Sequence, residues 1–98
     1  MELETKKTRK HRMELVLQET FIPNELLVLD VSLEHAGHLG MTKDSKETHF
    51  RIKMVSKAFQ GKSTVEQHRA VYEVLGPEFK NGLHALEMDL SYPKSESN

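Results

Sequence analysis

Apolar residues recur at Met13, Val16, Leu17 and Phe21, with Thr20 in the same stripe. That spacing of i, i+3, i+4, i+7 and i+8 predicts a helix over about residues 5–20. Pro23 ends it, and Ile22, the residue before the proline, is expected in extended geometry. Leu26-Leu27-Val28-Leu29-Asp30-Val31 predicts a strand with Leu27, Leu29 and Val31 on its buried face. Residues 33–46 then carry Gly37, Gly40, Asp44, Ser45 and two histidines with no period. A loop of that length in so short a chain is expected to be functional and mobile. Phe50, Ile52 and Met54 alternate with His49, Arg51 and Lys53, a half-buried strand with cations on its solvent side. Ala58 to Gly61 reads as a turn. Ser63 and Glu66 form a capping box that starts a helix over about 64–80, with Val65, His68, Tyr72, Leu75 and Phe79 on one side. Gly76-Pro77 predicts a kink or restart within it, and Asn81-Gly82 a left-handed close. In the last strand, Leu83 to Tyr92, the residues His84, Leu86, Met88, Leu90 and Tyr92 share one face. The order helix, strand, strand, helix, strand buries every apolar stripe if a three-stranded sheet is covered on one face by helices.

Ninety-eight residues accommodate one domain, read here as 1–98 with its core at about 13–92 and a frayed polar tail. The absence of cysteine excludes a disulfide framework, a thiol nucleophile and an all-thiolate metal site, which leaves six histidines as the main soft ligands. A formal charge of −1 argues against a dedicated nucleic-acid or membrane surface. No apolar run approaches a membrane span of about 18–20 residues. The charged start, with Glu2 and Glu4, resembles neither a secretory signal nor a transit peptide, so the cytoplasm is the expected compartment.

Several candidate chemistries fall away. Gly61-Lys62-Ser63 matches the end of a phosphate-binding loop, but Ser56 stands where the first glycine is needed. Gly37-His38-Leu39-Gly40 fits the letters of a KH clamp, yet it joins two strands instead of two helices. No nucleophile has an evident base, so no enzymatic activity is expected. The histidines carry more. His35 and His38 lie in the long loop without a packing duty, accessible to a metal; two polar loop residues are the plain alternative. His68 falls on the apolar stripe of its helix and is expected as a packed, hydrogen-bonded core residue. His49 points to solvent with no special duty. His84 opens the last strand, where a structural role competes with a ligand role. Lys57, Lys62 and Arg69, with Arg51 and Lys53, cluster near the turn before the long helix. They suit nucleic acid, against the plain alternative of a solvated face balanced by Glu66, Glu87 and Asp89.

Four segments in order give the sequence a wider resemblance. They are Glu47-Thr48-His49-Phe50-Arg51-Ile52, Val55-Ser56-Lys57-Ala58-Phe59-Gln60-Gly61-Lys62-Ser63, Gln67-His68-Arg69-Ala70-Val71-Tyr72 and Leu83-His84-Ala85-Leu86. They resemble the ETHF, VSxxFxGxS, RHRxVY and VHAL motifs of the BolA-like family. His35-Ala36-Gly37-His38 is similar to the HAGH loop of many members. The resemblance implies a single-domain α+β fold of the class-II KH-like type, order αββααβ, with a further short helix near 58–61. It also implies a partner role: a monothiol glutaredoxin and this chain holding a bridging [2Fe–2S] cluster in iron–sulfur trafficking and iron homeostasis. The glutaredoxin and glutathione supply thiolates. The family's ligands map to His84 and, by register, His35, with His38 as fallback, a mixed ligation chemically akin to a Rieske centre. The isolated protein is then expected to be a monomer without bound cluster, and His68 a packing residue.

Some positions depart from the family pattern. Gln67 stands where Arg is common, Asp30-Val31-Ser32 replaces Asp-Glu-Ser, and Tyr92-Pro93-Lys94 replaces the usual segment after the last strand. The second function the resemblance implies is a KH-like transcriptional regulator that meets DNA weakly through Lys57, Lys62 and Arg69.

Overall fold

The structure, a computed structural model, describes residues 8–32 and 48–94. The readings placed on residues 1–7, on the 33–47 segment with His35 and His38, and on 95–98 lie outside the described residues. Helix α1 spans Arg9–Phe21, capped by the Thr8 hydroxyl, which accepts from the His11 backbone N–H at 3.1 Å. Met13, Leu17 and Phe21 face the core and Val16 packs against it, whereas Thr20 is exposed. Ile22 is not extended. It adopts φ 44°, ψ 58°, and its N–H closes on the Gln18 carbonyl at 3.0 Å. A proline disfavours the right-handed helical region for its predecessor, but leaves the left-handed helix-terminating conformation open. Here that conformation falls on a β-branched residue.

Strands β1 (Glu25–Asp30), β2 (His49–Val55) and β3 (Ala85–Ser91) form one sheet in the order β1-β2-β3. The β1/β2 pairing is antiparallel and the β2/β3 pairing parallel. In β2 the inward residues are Phe50, Ile52 and Met54, as the alternation predicts. In β1 the expected face is inverted. Val28 is buried and Leu26 packs on the core, while Leu27 and Leu29 are 50% and 37% exposed. Four consecutive apolar residues carry no period, so the partner decides: Val28 pairs with inward Ile52 and Leu26 with inward Met54. Val31 is buried as expected.

Beyond β2 a 3₁₀ turn, Lys57–Phe59, begins at the buried Ser56 and delivers Phe59 into the core, at the position of the short helix that the family resemblance implied. Helix α2 (Thr64–Val74) carries the full Ser63/Glu66 capping box. Helix α3 (Gly76–Lys80) restarts the chain with a proline in its first turn. The face of α2 also differs from expectation. Leu75 is buried and Phe79 packs on the core as expected, but Gln67 and Val71 take the inward places before them, with Ala70 and Val74 against the core, while Val65 and Tyr72 are exposed. Apolar residues occupy two adjacent stripes of this helix, and sheet packing selects the one holding Val71. Gly82 takes φ 118°, supplying the expected left-handed exit after α3. The core is Met13, Leu17, Phe21, Val28, Phe50, Ile52, Met54, Phe59, Val71, Leu75 and Leu83. No helix among the described residues is long and apolar enough to cross a membrane.

Candidate functional site

Parallel pairing starts β2 and β3 at the same end of the sheet, and the antiparallel β1 finishes there. That end gathers His49, His84 and the two chain ends bordering 33–47. The Thr48 carbonyl accepts from the His84 N–H at 2.8 Å and from the Ala85 N–H at 3.1 Å. The His49 and His84 rings lie edge to face with centroids 5.8 Å apart. His84 is exposed and His49 half-buried. Thr48 Oγ1 sits 3.0 Å from His49 Nδ1. Beneath them the buried Ser32 hydroxyl accepts from the Thr48 N–H at 2.9 Å and the His49 N–H at 3.2 Å. The Asp30 carboxylate in turn accepts from the Ser32 N–H at 2.9 Å. This places His84 at an accessible sheet rim and gives His49, read from its own strand as pointing to solvent with no special duty, an imidazole neighbour. The single-strand pattern puts His49 on the solvent side; only the pairing of β2 with β3 brings it to His84.

The turn ahead of His84 is held from below. Arg9 is buried and donates from Nη2 to the Asn81 carbonyl at 2.6 Å and from Nε to Glu78 Oε1 at 3.2 Å. Arg12 donates to both Glu78 oxygens, at 2.7 and 2.9 Å. The Arg12 hydrogen bonds hold the Glu78 carboxyl below its ordinary value of 4.5; burial opposes them, and the charges of Arg12 and Arg9 add to the lowering. A Cβ at Gly82 would lie 3.1 Å from Arg9 Nη2, so the left-handed φ and the close guanidinium both favour glycine there. No local pattern in the sequence marks Arg9 for burial; its partners Glu78 and Asn81 lie far along the chain.

The remaining candidates are dispersed. Arg51 donates to Glu87 across the open face of the sheet at 2.9 Å, and Lys53 is in register with Asp89. Lys62 and Arg69 border a shallow groove together with Glu66 and Glu73. Lys57 lies in the 3₁₀ turn. The expected basic cluster is therefore divided between two surfaces and interleaved with carboxylates. His68 is half-buried on the flank of α2, and among the described residues its ring makes no hydrogen bond, so it is not the hydrogen-bonded core residue expected. The Gln67 side chain takes the inward place and donates to the Lys62 carbonyl at 3.0 Å. The Ser63 hydroxyl serves as the cap of α2. Among the described residues no three His, Cys, Asp or Glu side chains converge as a metal site.

Fold and site together define a small α+β domain whose sheet presents imidazoles at one end. The chain matches the family model of BolA-like proteins over residues 17–95 and belongs to that family. It is 48% identical over 90 residues to "Protein BOLA1, chloroplastic" of Arabidopsis thaliana, an alignment covering 91% of this chain and 56% of that protein, so the chain spans about half of that relative's length. Its structure superposes on the BolA domain of SufE1 from Arabidopsis thaliana with a TM-score of 0.80 at 45% identity, covering 89% of this chain and 94% of the other. It is also 29% identical over 82 residues to the "DNA-binding transcriptional regulator BolA" of Haemophilus influenzae, covering 84% of this chain and 75% of that protein.

Proposed function

We propose that this chain is a non-catalytic partner of a monothiol glutaredoxin and co-ligates a bridging [2Fe–2S] cluster as cargo in iron–sulfur trafficking and iron homeostasis. The observation that carries this reading is the place of His84. It is an exposed imidazole at the sheet end where residues 33–47 leave at Ser32 and return at Thr48, two residues tied by the 2.9 Å hydrogen bond. His35 follows Ser32 by three residues, a span of chain no longer than about 11 Å, and His38 follows three further on. Either is within reach of a ligand set that begins with His84. Thiolates from glutaredoxin and glutathione complete a mixed sulfur and nitrogen environment, and nitrogen ligation tunes the cluster away from an all-thiolate one. The isolated chain is a monomer that holds no cluster in this reading, and the cytoplasm is its compartment.

The test is anaerobic titration of cluster-loaded monothiol glutaredoxin with this protein, followed by visible absorption and circular dichroism. New bands are expected at one equivalent. His84→Ala abolishes them with the fold intact, and His35→Ala weakens them or transfers ligation to His38. Wild-type spectra from the single variants and from the His35/His84 double variant would sink the reading. A second reading, DNA binding, is favoured by the name of the Haemophilus relative and opposed by Glu66 and Glu73, which line the same groove as Lys62 and Arg69. Only weak, steeply salt-dependent binding to duplex DNA is expected; a submicromolar, sequence-specific complex at physiological salt would reverse the ranking.

A further inference from the structure

We propose that the outer edge of β3 is a docking site for an extended basic segment of a partner protein, added to the sheet as a fourth strand with its cations on the open face. The site needs neither the cluster nor the glutaredoxin. β3 is the last strand in the order β1-β2-β3, and among the described residues no strand pairs with its far side. The Ala85 N–H donates to the Thr48 carbonyl, and the Ser91 carbonyl accepts from the Ser56 N–H. In the parallel ladder, residues 85, 87, 89 and 91 therefore turn their backbone groups toward β2. The alternation directs the N–H and C=O groups of Leu86, Met88 and Leu90 outward, a template for strand addition along about 13 Å of edge.

The side chains on the two faces of this edge specify the occupant. Leu86, Met88 and Leu90 are half-buried against the core on the helical side, and Glu87 and Asp89 are exposed on the open side. An added strand sets apolar residues beside the first three and cations beside the other two, in the order apolar, cation, apolar, cation, apolar. β2 already obeys that order from within the fold. Its Phe50-Arg51-Ile52-Lys53-Met54 lies in register with Leu86-Glu87-Met88-Asp89-Leu90, and Arg51 donates to Glu87 at 2.9 Å. The far side of β3 offers the same row of side chains a second time. Glu87 need not leave Arg51, since a carboxylate accepts from several directions and this one stays 55% exposed with the pair formed. A second copy of the chain fits poorly. Antiparallel pairing of two β3 edges about Met88 sets Glu87 opposite the other copy's Asp89 at two places, and like charges directly opposite repel.

Amide NMR with the capped peptide Thr-Val-Arg-Val-Lys-Val-Thr tests this. In the free protein the Leu86, Met88 and Leu90 amides should exchange fast and the Glu87 and Asp89 amides slowly. Peptide at about ten times its Kd should slow exchange of the first three by about tenfold, a readout on wild-type protein alone. The charge-inverted peptide Thr-Val-Glu-Val-Asp-Val-Thr should bind about tenfold more weakly or worse, and added salt should weaken the basic peptide. Glu87→Lys/Asp89→Lys should reverse the preference. Should that variant fail to fold, the isosteric Glu87→Gln/Asp89→Asn should bind the two peptides about equally. No protection of the three amides at millimolar basic peptide, equal binding of both peptides by wild type, or protection confined to β1 overturns the inference. So does protection that grows with protein concentration in the absence of peptide, which would make a second copy the occupant.

Discussion

The two ends of strand β2 are each organised by a buried serine, and the serines do opposite things. At the Val55 end, Ser56 donates from Oγ to the Phe21 carbonyl at 2.6 Å and caps the 3₁₀ turn, while the Phe21 and Phe59 rings pack at 5.2 Å. A helix terminus that would expose unsatisfied carbonyls is thereby closed over a hydrophobic plug. At the His49 end, Ser32 accepts backbone N–H groups, and among the described residues an exposed imidazole and a half-buried one stand where the other end has its aromatic plug. The sealed end uses its side chains to exclude water. Among the described residues the other end fixes its backbone through Ser32 and leaves the His84 side chain exposed, the division of labour expected where a rigid scaffold presents a binding site.

That contrast is broken most directly by truncating both ends. Phe59→Ala should cost about 3–5 kcal/mol in urea denaturation, since it empties a fully buried aromatic site. His84→Ala should stay within about 0.5 kcal/mol, as an exposed surface change. A large loss from His84→Ala would make the open end structural after all. Next come the buried polar anchors. Ser56→Ala strands the Phe21 carbonyl, and Glu78→Gln leaves two arginines with a neutral partner; each should cost about 1–3 kcal/mol. Glu78 also sets a pH dependence. Its folded value lies below the unfolded 4.5, so its contribution is complete above that value and is lost as pH falls through the folded one. Wild-type stability should drop over that interval more than that of Glu78→Gln, and parallel pH profiles would refute the assignment.

Smaller effects sharpen the sealed end. Ile22 holds a left-handed conformation while 80% exposed, so Ile22→Gly relieves backbone strain with little lost burial. Thermal unfolding should show stabilisation of up to about 1 kcal/mol, and destabilisation would show that the exposed side chain matters more than the strain. The least effect is expected from Arg51→Ala on the open sheet face, within about 0.5 kcal/mol and diminishing further with salt.

Sequence reading succeeded where one residue type or period leaves a single solution. The β2 alternation has one amphipathic arrangement, the Ser63/Glu66 spacing has one local use, and Pro77 forces the α3 restart wherever the helix packs. His84 is a candidate ligand through its motif, not through periodicity. Two of the misreadings share a cause. β1 and α2 each offer two apolar faces, and a strand or helix that can bury either is settled only by its partner, through the Val28–Ile52 register in one case and the packing of Val71 in the other.

By itself, then, the sequence determined the element order, the Ser63 cap, the break at Pro77, the β2 core face and the family, because these depend on neighbours within a few residues or on motifs read in line. Tertiary structure alone decided the inward faces of β1 and α2, the burial of Arg9 against Glu78 and Asn81, and the meeting of His49 with His84 across 35 positions of chain. Those depend on how the strands pair and how α1 docks. Parallel pairing of β2 and β3 brings their starting residues side by side, and no local period encodes which strand a given strand will choose.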